Sequence, residues 1–109
     1  MKTIFLGTSK SQVLEMLSEQ TIHKVYLGEF EIALTRKGES FKAFQAECPH
    51  RGAPLHQGLL TEKGEIICSL HQYSFDLNSG KVQFGSCGDL DIYPTELTDD
   101  GLKIFISNG

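Results

Sequence analysis

Two short stretches of the chain each offer a thiol and an imidazole. CPHRGAPLHQG begins at Cys48 and places His50 two residues on, with Pro49 between them; CSLH, twenty residues later, carries Cys68 and His71. Written as a pattern, this is C-x-H, 17 residues, then C-x2-H. Thiolate sulfur and imidazole nitrogen are donors that hold transition metals. The three cysteines cannot all pair. In a reducing compartment cysteines serve more often as metal ligands, reactive thiols or small buried apolar groups than as disulfides. Pro49, Gly52 and Pro54 shape the first loop, and Gly64 opens a hairpin leading to the second.

Zinc accepts a tetrahedral Cys2His2 set, but zinc fingers usually pair Cys with Cys and His with His along the chain. Here the two types are mixed within each loop. That arrangement suits a [2Fe-2S] cluster gripped at both ends by two opposed loops, with two His in place of two Cys on one iron. Formal charge shows what the replacement does. Two ferric ions and two sulfides sum to plus two, so four thiolates leave a dianion. Two thiolates and two neutral imidazoles leave no net charge, and an added electron works against less negative charge.

The elements that must position these residues are short. TIFLG (3–7) reads as a strand. In SKSQVLEMLSEQ (9–20), Val13, Leu14, Met16 and Leu17 recur at helical spacing behind a candidate N-cap, Ser9 or Ser11. The period then becomes two. In FEIALT, Phe30, Ile32 and Leu34 alternate with Glu31, Ala33 and Thr35, which predicts a half-buried strand. A turn at Gly38 and the run SFKAFQA complete a hairpin over about 30–46 that delivers the chain to Cys48. EKGEIICS is a turn and a strand ending at Cys68. YSFDLNSGKVQF is a strand, a turn at Asn78-Ser79-Gly80 and a second strand. DLDIYPTEL and GLKIFIS are two alternating runs joined at Asp99-Asp100-Gly101. These signals predict an all-β fold, an antiparallel sandwich or barrel with one short N-terminal helix. A single domain spans 1–109, with 47–74 as an excursion between its strands.

Composition narrows the class. The chain has 109 residues, eleven of them glycine, and a formal net charge of −4. Its lysines and arginines form no stripe, so nucleic acid is not an expected partner. No apolar run approaches the roughly 20 residues that span a bilayer. MKTIFLGTSK lacks the apolar stretch and cleavage site of a secretory signal, and the expected address is the cytoplasm.

With both motifs in view, the sequence resembles the Rieske ferredoxins, small [2Fe-2S] electron carriers of bacterial aromatic-ring oxygenase systems. CPHRGAPLHQG and CSLHQYSFDLNSG carry the resemblance, which extends from about Gly28 through Tyr93-Pro94 to the last strand. It implies that Cys48 and Cys68 bind one iron and His50 and His71 the other, one cluster per chain, at the tip of a small cluster-binding subdomain. It implies an electron carrier rather than an enzyme. Its transient partners would be a flavin- or ferredoxin-type reductase and a terminal oxygenase, and its state would be monomeric. The second loop departs from the frequent C-P-x-H-G form, because Gln72 stands where a glycine is usual. Two other readings stay open: a small Rieske subunit of an assimilatory nitrite reductase, and a structural zinc-binding interaction module.

The resemblance also separates branches. Rieske proteins of quinol-oxidising complexes carry an extra cysteine in each loop; the matching positions here are Ala53 and Leu70. They place Ser and Tyr hydroxyls near the cluster where this chain has Tyr73 and Phe75. Hydrogen bonds to cluster sulfur raise the potential, so the expected potential is about −150 mV rather than about +300 mV. The potential is also expected to fall as alkaline pH removes the second ring protons of His50 and His71. No second metal motif accompanies the quartet, and His23 and His56 lack partners at ligand spacing. Cys87, in GSCGD, reads as a passive thiol. Arg51 is either solvated or steers an acidic partner. Pro54, Leu55 and Leu70 either pack beneath the cluster or form a docking patch.

Overall fold

A computed structural model describes residues 2–27, 30–48, 54–68, 73–85 and 88–106. Among the described residues, eleven strands form three antiparallel sheets. The first joins β1 (Lys2–Leu6), β11 (Gly101–Ile106) and β10 (Thr95–Thr98). The second has the order β2 (His23–Leu27), β3 (Phe30–Lys37), β4 (Ser40–Gln45), β9 (Ile92–Tyr93). The third has the order β5 (Leu59–Leu60), β6 (Glu65–Ile67), β7 (Ser74–Asp76), β8 (Val82–Phe84). The all-β expectation holds, as does the N-terminal helix.

The helix α1 covers Lys10–Met16 and is shorter than the periodicity of 9–20 suggests. Ser9 caps its start, accepting the Gln12 N–H at 3.1 Å. Its end is set from outside. The Arg36 guanidinium, on β3, donates to the carbonyls of Leu14 (3.1 Å) and Leu17 (3.0 Å), satisfying acceptors that a helix end leaves open. Val13 and Leu17 enter the core, whereas Met16 stays exposed.

β3 and β4 pair from Ile32↔Gln45 to Lys37↔Ser40 across a two-residue turn begun by Gly38 at φ +62°. This hairpin is the partition of the molecule. Ile32, Leu34, Phe41 and Ala43 face one core with Val13, Leu17, Tyr93, Leu102, Ile104 and Ile106. Ala33 and Phe44 face a second core with Cys48, Cys68, Leu55, Ile66, Phe75, Leu77 and Leu90. The expectation of a half-buried β3 is therefore corrected: its alternate faces are both covered, because small Ala33 leaves room for the third sheet on the side expected to meet water.

Two further differences follow from backbone chemistry. The run DLDIYPTEL divides at Pro94 into β9 in the second sheet and β10 in the first. Proline has no N–H to donate to a ladder, and its carbonyl instead accepts the Phe105 N–H at 2.9 Å. The excursion is also longer than 47–74, since its sheet continues to Phe84. Beside the hairpin, burial and the Asp91 carboxylate raise the pKa of the Tyr93 phenol above its ordinary 10.0. The folded chain thus holds that proton to higher pH than the unfolded chain. The associated stability is present below about pH 10 and is lost as pH rises through the raised value. The unfolding temperature should fall above pH 10, and Tyr93→Phe should flatten that slope.

Candidate metal centre

Cys48 follows β4, and its loop is closed at the base. Glu47 and Pro54 form an isolated antiparallel bridge, and the Leu55 N–H donates to the Ala46 carbonyl at 2.9 Å. Gln45 fixes the entry: its amide donates to the Glu47 carbonyl at 2.7 Å and accepts the Asp91 N–H at 2.7 Å. Cys68 follows β6 and is placed the same way. Its N–H donates to the Tyr73 carbonyl at 2.7 Å, just beyond the pairing of Ile67 with Ser74. Each cysteine therefore stands where a regular strand gives way to a loop of fixed base.

The two loop bases are packed together. A β-carbon on Gly58 would lie 2.1 Å from the Ile67 carbonyl oxygen, so the segment leaving the first loop touches the backbone entering the second. Cys48 and Cys68 are buried, 2% and 0% exposed, and share one apolar cluster with Leu55, Ile66 and Phe75. Both are present as thiols and not as a disulfide. Leu55 has no exposed surface, which settles its two readings in favour of packing. Phe75 is likewise fully buried and brings no hydroxyl. Tyr73 is half-buried with its ring over Gly85, where a β-carbon would overlap it.

His50 and His71 lie outside the described residues, as do Arg51, Ala53, Leu70, Gln72 and Cys87. Among the described residues no group of three or more His, Cys, Asp or Glu side chains comes together. His23 has a structural role, with Nε2 donating to the Ser18 carbonyl at 3.0 Å. Among the described residues no helix is long and apolar enough to cross a membrane. Gln45 and Gly58 are missed by the sequence reading. Gln45 ends an ordinary alternating strand, and Gly58 is one glycine among eleven.

A family model for the Rieske [2Fe-2S] domain matches residues 9–94, and the chain belongs to that family, whose cofactor is a Rieske-type [2Fe-2S] cluster. The ferredoxin component of the alkene monooxygenase system of Xanthobacter autotrophicus is 36% identical over 50% of this chain and 45% of its own length. The 3-phenylpropionate/cinnamic acid dioxygenase ferredoxin subunit of Shigella boydii is 36% identical over 69% of this chain and 70% of its own. The match spans about half or less of the first curated relatives. Among solved structures, the ferredoxin of carbazole 1,9a-dioxygenase from Nocardioides aromaticivorans superposes with a TM-score of 0.81 at 22% identity, covering 96% of this chain and 98% of its own. Small subunits of nitrite reductases share the fold, so fold alone does not name the redox system.

The residues present fit the family's cofactor on their own chemistry. Two buried thiols from two loop bases meet in one apolar cluster, where a pair of thiolates needs positive charge beside it.

Proposed function

We propose that the chain is a one-electron carrier whose [2Fe-2S] cluster is held by Cys48 and Cys68 on one iron and by His50 and His71 on the other. The burial of both thiols in one cluster carries this reading. When bound, the cluster takes up and releases a single electron. The chain's own residues do the rest. The bridge at Glu47–Pro54 and the bond from Cys68 to Tyr73 hold the ligand thiols in register, and Leu55, Ile66 and Phe75 keep water from them. No residue performs bond-making chemistry on a substrate.

The electron would come from a flavin- or ferredoxin-type reductase and pass to a terminal oxygenase, through transient encounters of a monomer in the cytoplasm. Ferredoxin components of oxygenase systems among the relatives favour this over a nitrite reductase. Stable co-purification with a large haem- and flavin-bearing subunit would reverse that preference. A zinc module would be colourless.

The test is an anaerobic redox titration of the purified protein followed by EPR. A signal of low average g should appear on reduction, with a midpoint near the bottom of the Rieske range, about −150 mV. Phe75 supports the low value, since it is buried against the cysteines and has no hydroxyl to donate. A midpoint above about zero would refute the low-potential assignment. Bound metal with no colour and no signal would refute the carrier.

A further inference from the structure

The third sheet has one face in the core and one in solvent, and the outer face is not what a solvated sheet face usually is. Leu59 pairs with Ile67, Ile67 with Ser74, and Ser74 with Phe84 across a register shift between Ser74 and Phe75. The shift lets Phe84 turn outward (65% exposed) while Val82 packs against the second core, so these four residues lie in one row across all four strands. Directly paired residues project from the same face. The neighbouring row, Leu60, Ile66, Phe75 and Val82, faces the second core. The outer row therefore points away from it, and its two ends are 68% and 65% exposed at Leu59 and Phe84. Four strands at sheet spacing make the row about 14 Å long. It abuts the second loop, since Ile67 immediately precedes Cys68 and Ser74 immediately follows Tyr73.

The border of this row is acidic. Glu65 pairs with Asp76 two positions further along β6 and β7, hence on the same face. On the β8 side the Asp89 carboxylate accepts the Val82 N–H at 3.1 Å. Lys81, whose carbonyl takes the Asp76 N–H at 2.9 Å, and Lys63, in the turn before β6, are cations alongside, and among the described residues Glu62, Glu65, Asp76 and Asp89 outnumber them. An apolar centre with a charged rim is the anatomy of a protein interface, and an area this small suits a transient one.

We infer that the outer row Leu59–Ile67–Ser74–Phe84 is a docking surface for a redox-partner protein that presents an apolar centre ringed by Lys and Arg. A second copy of this chain is the poorer occupant, because face-to-face pairing would set acidic borders against each other. The inference rests on the carrier reading and extends it from the cluster to the sheet that supports it.

Cytochrome c is a suitable probe, being a small basic protein whose apolar haem edge is ringed by lysines. Calorimetric titration of the oxidised protein with ferric cytochrome c reads binding without electron transfer. Stopped-flow mixing of the reduced protein reads transfer, in which one electron leaves the cluster and reduces ferric haem to ferrous. Leu59→Ser and Phe84→Ser are exposed changes that should leave the EPR signal intact. Each should weaken binding about tenfold, and Glu65→Gln should reduce the salt dependence of both readouts. Unchanged affinity in both serine variants, with electron transfer intact, overturns the surface and leaves the carrier standing. Weakened affinity in a protein that passes no electron supports the surface and removes the carrier. A concentration-dependent dimer that dissociates in Phe84→Ser assigns the face to a second copy and overturns the partner.

Discussion

Replacing Cys68 with serine should empty the site. Iron and acid-labile sulfide, expected at about two each per chain in the unaltered protein, should fall to near zero, and the colour and the reduced-state EPR signal should go with them. A serine hydroxyl at neutral pH stays protonated and is a poor iron ligand, whereas a thiol beside ferric iron loses its proton readily. Nor is the hydroxyl at ease in the empty protein. Cys68 has no exposed surface and Cys48 only 2%, among Leu55, Ile66 and Phe75. A hydroxyl suits such an apolar cluster less well than a thiol, which behaves as a small apolar group. Cys48→Ser should behave alike, because the two thiolates share one iron in the proposed arrangement. Cys87→Ser, outside both pairs, should keep full iron. Metal analysis of the three variants checks this directly. Full iron in Cys68→Ser would mean that the quartet is wrongly assigned. Zinc in place of iron and sulfide in the unaltered protein would mean that the metal is.

The proposed quartet comes from residue type and spacing, since a thiol and an imidazole in each of two loops is a pattern that packing alone has no reason to repeat. Of its four members, the described residues place Cys48 and Cys68 in one buried cluster. Burial is less legible, since it depends on what lies across the sheet. Ala33 alternates with apolar residues and reads as solvent-facing, but a small side chain also admits a second layer, and here it does. The strand at His23–Leu27 is invisible for the opposite reason. HKVYL mixes a cation and an imidazole with apolar residues at the sheet's edge, and Tyr26 there is 64% exposed. The split at Pro94 is written in the sequence, because a proline inside an alternating run forfeits a ladder hydrogen bond. Leu55 cannot be resolved between core and surface from its neighbours. The bridge between Glu47 and Pro54 turns it inward, and that bridge is a tertiary fact.

Gly58→Ala should strongly damage the described part of the centre, although nothing in its dihedral angles forbids alanine. Gly58 has φ −85° and ψ −162°, extended backbone open to any residue. What excludes a methyl is contact. The added carbon would lie 2.1 Å from the Ile67 oxygen and 3.2 Å from both the Ile67 carbonyl carbon and the Leu55 oxygen. All three are backbone atoms, so no side-chain rotation gives relief. The chain can make room only by opening the β5–β6 pairing at Leu59↔Ile67 or by moving Ile67, and Cys68 moves with it. Overpacking of this kind costs up to about 3 kcal/mol or more, a large share of the roughly 5–15 kcal/mol that holds a domain folded. Gly64→Ala is the matched control. Gly64 has φ +80°, which disfavours a side chain, but a β-carbon there meets nothing within 4 Å. Its cost should be the conformational one, about 1–2 kcal/mol, with full iron retained. Thermal unfolding and iron content measured together separate the two. Gly58→Ala should lose more stability than its control and should lose iron as well, since the methyl falls on the junction of the two loops. Equal losses in the two variants, with iron intact in both, would show that the contact between the loop bases does not hold the cysteines in place.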